Sequence, residues 1–494
     1  MIKRKREGIA GKDILFALVG GALLSASQPP LVTSFLAYFC LVPLFVALRN
    51  KTYRAAFGLG YIWGFVSNLM SLYWIALPTA GGMVAAVIIL SLYNAGFALL
   101  YSFLERRREW LALAASPIFW TGMEFLRGYG RLGFPWMDLA YTQGQYAPII
   151  QIADLVGHRG ITFWLVIVNV LVFAIFTKKR KWVWGVLLAL AFGGVLGYGF
   201  WKLSEPPSGE MFRVALLQSN ITATQKWESG FRRKNVRTYV AMMDSLAEKV
   251  DLVVLPESAT AYYHRNRPDI IEDLRIAAAR HNTPILSGTL DFDPERRKTH
   301  YYNSAMVITP AGLMEQVYHK MELVPMSEQI PFQDVLPGLR EIDVGGSHFA
   351  RGSEYTIFDV RGTEIGAPIC FEAAFPRSIR NFRRAGAEVI INITNDGWFG
   401  ITPGPYQHAN FIRFRAVENR IGIARCAQTG ISLIASPKGI IEKSLPLGVR
   451  GALIGEVQTA TRKSFFSRAG DWVGTGSLIA TPLLMIIFGF LVKL

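Results

Sequence analysis

The feature of this sequence that most restricts its fold is a series of eight apolar stretches, each near the length of a membrane-spanning helix. The hydrocarbon core of a bilayer takes about 20 helical residues. Seven of the stretches precede residue 205 and one ends the chain. They run approximately over 14–28, 31–48, 55–77, 83–104, 110–126, 161–177, 182–201 and 473–492. We therefore expect a multi-pass α-helical membrane domain at 1–204, a separate domain at 205–472, and a last membrane helix at 473–494.

The positions of the basic residues predict the orientation of these helices. Lysine and arginine cluster at every second connection, while the turns at 27–30 and 78–82 contain neither. The basic clusters are 3–6, 49–54, 106–108 and 178–181. Because cytoplasmic loops of membrane proteins carry the excess of positive charge, both termini are expected in the cytoplasm. Seven crossings then put the whole 205–472 region on the outer side.

The net charge of +16 on 494 residues does not indicate a nucleic-acid-binding protein. Residues 1–204 carry 19 Lys/Arg and 7 Asp/Glu, a net of +12, while the rest of the chain carries 33 and 29, a net of +4. The excess thus lies between apolar stretches, where membrane topology requires it. With 51% hydrophobic and 18% charged residues, the chain is not a disordered protein, and three cysteines are too few for a disulfide framework.

The outward-facing connection at 127–160 is unusually rich in glycine and aromatic residues, including Trp136 and Tyr141. Irregular backbone at membrane depth must be covered by protein or water. The ordinary interpretation is a belt of aromatic residues at the membrane interface. The functional interpretation is a lid or wall beside a path for lipid.

From residue 211 onward, short apolar runs alternate with charged helical segments. This pattern predicts an α/β domain with an internal sheet. Strands are expected at 212–218, 252–256, 284–288, 303–309, 355–360, 364–369, 388–394, 421–427 and 431–436, and helices at 230–249, 268–281, 375–385 and 406–418. The domain has neither a nucleotide-binding glycine motif nor histidines at metal-ligand spacing to cysteine, so no cofactor or metal is expected.

Three reactive groups are expected at strand ends of this domain. Glu257 ends the run Leu-Pro-Glu, Lys320 lies in His-Lys-Met-Glu-Leu-Val-Pro, and Cys370 begins Cys-Phe-Glu. Taken singly, the glutamate is explained as a solvated strand end, the lysine as a surface residue and the cysteine as a small buried hydrophobe.

Taken together, in this order and spacing, the three motifs resemble the nitrilase (carbon–nitrogen hydrolase) superfamily. Further segments are similar to its membrane-bound branch, the apolipoprotein N-acyltransferase family. These segments are Gly-Phe-Pro-Trp at 133–136, Asn-Asp-Gly-Trp-Phe-Gly at 395–400, Arg-Ala-Val-Glu-Asn-Arg at 415–420 and Thr-Gly-Ile-Ser at 429–432. The resemblance implies an α-β-β-α sandwich with a Glu-Lys-Cys triad at 205–472.

The chemistry that the resemblance implies can be assigned residue by residue. Glu257 takes the proton from the Cys370 thiol and should have a pKa raised by burial. Lys320 places a positive charge beside the thiolate and the developing oxyanion, and the backbone N–H of Phe371 is a candidate for a second oxyanion donor. By the same resemblance, Cys370 is expected to take an acyl chain as a thioester from a membrane phospholipid, typically phosphatidylethanolamine. The expected acceptor is the α-amine of the diacylglyceryl-cysteine of an apolipoprotein. We expect a monomer in the bacterial inner membrane with a periplasmic catalytic domain.

Several supporting residues follow from the same resemblance. Glu328 matches a second family glutamate that orients Lys320 or the acyl carbonyl, with a plain ion pair as the alternative. Glu372 matches a functional family position, with a structural hydrogen-bonding role as the alternative. Trp227 and Trp398 resemble aromatic residues of substrate-gating loops, although either ring could simply anchor the domain. At Phe371 the family often has tyrosine, so a hydroxyl-dependent role is not expected there.

Two other functions remain open from the sequence. A membrane-anchored amidase or nitrilase would use the same triad to hydrolyse C–N bonds, with water resolving the thioester. A non-catalytic scaffold or transporter would bind lipoproteins with its outer domain and would need no nucleophile. The eight apolar stretches favour the acyltransferase over the first, and the three triad motifs favour it over the second.

Overall fold

A computed structural model describes residues 6–222, 225–226, 231–293, 300–330 and 349–490, except the side chains of 489–490. The chain forms two compact units. One contains residues 1–205 and 469–494, and the other contains residues 206–468. Trp227 lies outside the described residues, so the structure says nothing about its predicted role.

The first unit is built from apolar helices. Its α-helices are Gly11–Ala26, Val42–Ala47, Tyr53–Leu72, Ala80–Glu105, Glu109–Arg127, Ala147–Ile150, Ala153–Thr177, Lys181–Ser204 and Trp472–Phe490. Within the described residues, four helical segments are long and apolar enough to cross a membrane. These are Tyr53–Ala76, Ala80–Glu105, Ala153–Thr177 and Lys181–Ser204.

Two of the apolar stretches differ from the helices predicted for them. The stretch at 31–48 is divided into a 3₁₀ turn, Ser34–Tyr38, and a short helix, Val42–Ala47, with a proline in its first turn. Proline is compatible with a first helical turn because the N–H groups there have no partner within the helix. The helix predicted from 161 begins already at Ala153 and contains a kink at Gly157, whose φ is 67°.

Most of residues 133–144, in the segment between Arg127 and the helix that begins at Ala153, are packed inside the first unit. The rings of Trp136 and Tyr141 are buried, which corrects the interpretation of these two residues as an interfacial aromatic belt. Asp138, also buried, lies 2.7 Å from Arg127 and 2.8 Å from His158. Burial of this irregular backbone by protein meets the requirement for non-helical chain in a membrane domain.

The described residues of the second unit form two six-stranded sheets. In the first sheet the strand order is β12-β1-β2-β3-β4-β5, and in the second it is β11-β10-β9-β8-β7-β6. The strands are β1 Met211–Gln218, β2 Leu252–Val254, β3 Ile285–Asp293, β4 His300–Thr309, β5 Gly312–His319, β6 Ile357–Val360, β7 Thr363–Gly366, β8 Val389–Thr394, β9 Gly422–Ala427, β10 Ser432–Ala435, β11 Ile441–Leu445 and β12 Gly451–Gln458. β1, β2 and β3 run parallel, as do β7, β8 and β9. Parallel strands place their carboxyl ends at one edge of a sheet.

The two faces of β1 contact two different hydrophobic cores, which defines the layers of this unit. Val214 and Leu216 join the core between the two sheets, while Ala215 and Leu217 face a second core beneath two helices, Arg232–Asp244 and Pro268–His281. Strands buried on both faces read as continuous apolar runs. Two further helices, Pro376–Ala385 and Pro403–Asn419, pack against the second sheet. The unit therefore has helices outside two sheets that share a core.

Candidate functional site

The three predicted reactive residues follow strand ends of the second unit. Glu257 comes three residues after β2, and Lys320 comes directly after β5. Cys370 follows Ile369, which pairs with Ile393 of β8. The first two residues thus come from one sheet and the cysteine from the other. The carboxyl ends of strands are the usual location of sites in folds with parallel sheets.

Both carboxylate oxygens of Glu257 are held by hydrogen bonds. Oε1 accepts from Asn303 Nδ2 at 2.7 Å and lies 3.3 Å from Lys320 Nζ. Oε2 accepts from the backbone N–H of Asn395 at 2.9 Å, which joins this glutamate to the end of β8. A methyl group at Gly288 would lie 2.6 Å from Glu257 Cα, so only glycine allows β3 to pass this close.

The direction of the Glu257 pKa is opposite to the one expected from burial alone. Burial acts to raise it, but the Lys320 ammonium and the hydrogen bond from Asn303 outweigh burial, and the pKa of Glu257 is lowered. The prediction of a raised pKa was therefore wrong. The sequence-based argument considered burial, but not the cation and the amide that the fold brings to this carboxylate. An ionised carboxylate is the form that can accept a proton.

Lys320 is buried between two carboxylates. Its Nζ lies 2.8 Å from Glu328 Oε1, in addition to its contact with Glu257. Burial opposes the charge, but the two glutamates outweigh it and raise the pKa of Lys320. Glu328 also accepts from Asn303 at 3.0 Å and from the backbone N–H of Val324 at 2.9 Å. The contact with Lys320 is common to the orienting role and to the plain ion pair predicted for Glu328.

Cys370 is a buried thiol in an unusual backbone conformation. It begins the 3₁₀ turn Cys370–Ala374 with a φ of 51°, and only 8% of the residue is exposed. Non-glycine residues held in the left-handed region cluster at functional sites, because the surrounding structure must compensate for the strain. Burial and the nearby charge of Glu257 raise the pKa of the thiol, while Lys320 and a hydrogen bond with Thr394 act in the opposite direction. The resting thiol is thus neutral and lies within electrostatic range of both other predicted triad residues.

Glu372 connects the cysteine turn to the lysine segment. Its Oε2 accepts from the N–H of Ile369 at 2.7 Å, and its Oε1 accepts from the Tyr318 hydroxyl at 2.7 Å. Oε1 also accepts from the N–H groups of Met321 and Glu322 at 2.8 and 3.1 Å. Burial raises the pKa of Glu372 to about 7, although these donors act to lower it. The geometry therefore matches the structural alternative stated for this residue.

The aromatic residues near the motifs differ in exposure. The Phe371 side chain is buried, and its ring packs edge-on against Phe375 at 4.9 Å. Trp398 lies on the 3₁₀ turn Asp396–Phe399 and is 48% exposed, so its ring is accessible within this unit. Cys426 is fully buried and free.

Three residues of the site were missed by the sequence-based argument. Asn303 bridges Glu257 and Glu328 from β4, and Lys226 Nζ donates to the Glu257 carbonyl at 2.8 Å. Burial lowers the pKa of Lys226 to about 8, against the opposing effect of Glu257. His408 Nε2 contacts the Cys370 carbonyl at 3.1 Å. A buried polar residue inside an apolar strand could have indicated Asn303, because such groups need partners.

Comparison with known proteins finds matches over both units. A family profile described as Apolipoprotein N-acyltransferase N-terminal domain matches residues 20–171, and one described as Carbon-nitrogen hydrolase matches residues 213–465. The apolipoprotein N-acyltransferase of Geobacter metallireducens is 34% identical over 94% of this chain and 93% of its own length. Those of Chlorobaculum tepidum and Haemophilus ducreyi are 30% and 31% identical, over 94% and 78% of this chain and the same shares of their own lengths. The second unit therefore has the nitrilase-like fold, and the chain belongs to the apolipoprotein N-acyltransferase family of the carbon–nitrogen hydrolase superfamily.

Proposed function

We propose that this acyltransferase moves an acyl chain from a membrane phospholipid, through a thioester on Cys370, to the α-amine of the N-terminal diacylglyceryl-cysteine of an apolipoprotein. This is the last step of lipoprotein maturation. One observation carries the assignment of the site: a buried thiol, an ionised carboxylate and a buried ammonium follow strand ends of two sheets that share a core.

In the first half of the reaction, Glu257 accepts the thiol proton as the Cys370 sulfur attacks the ester carbonyl of the phospholipid. Lys320 stabilises the oxyanion of the tetrahedral intermediate, together with the backbone N–H of Phe371. The C–O bond then breaks, and the leaving alkoxide takes the proton from Glu257. The products are a Cys370 thioester and a lysophospholipid.

In the second half, the lipoprotein amine attacks the thioester carbonyl and gives a proton to Glu257. The C–S bond breaks, an amide forms, and the sulfur recovers the proton from the same carboxylate. Glu257 is ionised at the start of both halves, as a base must be. Its lowered pKa keeps the carboxyl group ionised at neutral pH, which supports this double role.

For the membrane domain we propose eight crossings, with both termini in the cytoplasm and residues 205–472 in the periplasm. The clusters of lysine and arginine at every second connection support this topology, and the apolar helices support a location in the inner membrane. Phosphatidylethanolamine is the proposed donor, and the enzyme is proposed to act as a monomer. Trp227 and Trp398 are the proposed gating residues for these substrates.

The test is mass spectrometry of the intact protein purified from membranes and incubated with phosphatidylethanolamine carrying a labelled sn-1 chain. We expect one labelled acyl adduct on Cys370 that persists until a diacylglyceryl peptide with a free amine is added, and that then appears on the peptide. Cys370→Ala should carry no adduct and form no product. Rapid release of the label as free fatty acid would favour the membrane-anchored hydrolase instead, and N-acylation by Cys370→Ala would contradict the proposed nucleophile.

A further inference from the structure

His408 lies against the backbone of the proposed nucleophile but has no part in the mechanism above. It comes from the helix Pro403–Asn419, and its Nε2 is 3.1 Å from the carbonyl oxygen of Cys370. A carbonyl oxygen only accepts hydrogen bonds, so Nε2 must carry the hydrogen. The imidazole is fully buried, with Phe399 and Phe411 edge-on to its ring.

The opposite side of the imidazole is held by a buried ion pair. His408 Nδ1 is 2.9 Å from Asp396 Oδ1, and Arg425 Nη2 is 2.7 Å from Asp396 Oδ2. All three side chains are fully buried. Removing two charges from water is costly unless the geometry is well satisfied. Asp396 also accepts from Thr394 at 3.2 Å. The cluster thus reaches the proposed nucleophile at its backbone carbonyl, through His408.

The contact with the carbonyl has a consequence for catalysis because a peptide bond is planar. In a trans peptide the C=O and the following N–H point in opposite directions. A hydrogen bond that fixes the Cys370 carbonyl therefore also fixes the direction of the Phe371 N–H, on the side away from His408. Hydrogen bonds along such a chain also polarise one another, which makes the N–H a better donor. The φ of 51° at Cys370 is a conformation that needs such support.

We propose that His408 is a positioning residue, which holds the Cys370–Phe371 peptide so that the sulfur and the Phe371 N–H face the same acyl carbonyl. Asp396 and Arg425 fix the orientation of the imidazole. The inference rests on the proposed function, since it gives His408 a part in acylation of Cys370. It concerns only the orientation of the oxyanion donor, and it requires no proton transfer by the imidazole.

The test compares two reactions of the same thiol in detergent-solubilised full-length protein. Acylation by labelled phosphatidylethanolamine in a single turnover passes through an oxyanion, whereas alkylation by iodoacetamide does not. His408→Leu removes the hydrogen bond and keeps an apolar side chain between the phenylalanines. His408→Gln places an amide donor near the position of Nε2, and His408→Asn places one only near Nδ1, within reach of Asp396.

We expect His408→Leu and His408→Asn to slow acylation about 10- to 100-fold, less than the roughly 10²- to 10³-fold cost of deleting an oxyanion donor, because the N–H remains but is misdirected. Alkylation rates and KM for the phospholipid should stay near wild type, and His408→Gln should recover most of the acylation rate. Wild-type acylation in His408→Leu would overturn the inference, as would failure of glutamine to restore the rate or an equal fall of both reactions. Absence of a Cys370 thioester in the wild-type protein would instead contradict the proposed function, and the inference about His408 with it.

Discussion

We expect activity to fall as the pH is lowered, and replacing Asn303 by alanine should make this fall begin at a higher pH. The Asn303 side chain is almost fully buried, and its Nδ2 donates to Glu257 Oε1 at 2.7 Å and to Glu328 Oε1 at 3.0 Å. This amide is one of the groups that lower the pKa of Glu257. Without it, the carboxylate keeps the full effect of burial and loses one of the donors that stabilise its charge.

The size of the effect follows from the strength of one hydrogen bond to a charged group, about 1.5–3 kcal/mol. A tenfold change in an ionisation constant corresponds to about 1.4 kcal/mol. Losing the amide should therefore move the acidic limb of the acylation pH profile upward by about one to two pH units. The shift is upward because Glu257 is the proposed base. If its pKa rises, the carboxylate is protonated, and therefore inactive, over a wider acidic range.

The assay is single-turnover acylation of Cys370 by labelled phospholipid, measured from acidic to neutral pH. The control is Asn235→Ala, which truncates another buried asparagine whose amide makes no hydrogen bond within the described part of the chain. This control should keep the wild-type midpoint. If the midpoint of Asn303→Ala also stays in place, either Glu257 is not the base or this amide does not stabilise its charge, and the reasoning is refuted.

Two further predictions concern stability. Asp138→Asn leaves the buried guanidinium of Arg127, 2.7 Å from the carboxylate, without this counter-charge, and it takes from Arg159, at 3.2 Å, one of two carboxylates, the other being Asp471. The substitution should cost about 3–5 kcal/mol. A melting temperature in detergent equal to that of the wild type would contradict it. Glu372→Gln turns an accepting oxygen into an amide that faces N–H donors, and should lower the free energy of unfolding of the second unit by about 1–3 kcal/mol. Tyr318→Phe removes a single donor to that carboxylate and should cost less, so equal losses in denaturant unfolding would argue against this account.

The predicted strands of the second unit were largely correct where a strand is buried on both faces. β1 and β8 are continuous apolar runs, because they lie inside their sheets with other layers on both sides. The strands that the sequence did not indicate are β5, β11 and β12, and each is an edge strand. An edge strand is partly exposed and carries charged or polar residues that reduce unwanted pairing, so its apolar pattern is weak.

The candidate site likewise has a part that local sequence patterns predicted and a part that they could not predict. Glu257 and Cys370 directly follow predicted strands, because a reactive side chain after an apolar run is a local pattern. Lys320 was found by its motif alone, since β5, the strand before it, was not predicted. The contacts that adjust them are not local: Asn303 and Asn395 are 46 and 138 residues away from the glutamate that they bind. A pKa depends on such contacts, which is why the direction predicted for Glu257 was wrong although the residue itself lies at the site.

Under the proposed mechanism, the charges of the resting site explain how a buried thiol can be a nucleophile without being generally reactive. The proton stays on sulfur, since burial and the charge of Glu257 raise the pKa of the Cys370 thiol while Lys320 and Asn303 lower that of Glu257. Transfer of the proton to the carboxylate is therefore unfavourable until the sulfur bonds to a carbonyl carbon and the negative charge moves to oxygen, where Lys320 can stabilise it. The resulting thioester is neutral, and the ammonium keeps its two carboxylates. Since a neutral thiol reacts poorly with oxidants, the same charge distribution that delays proton transfer also protects the sulfur between substrates.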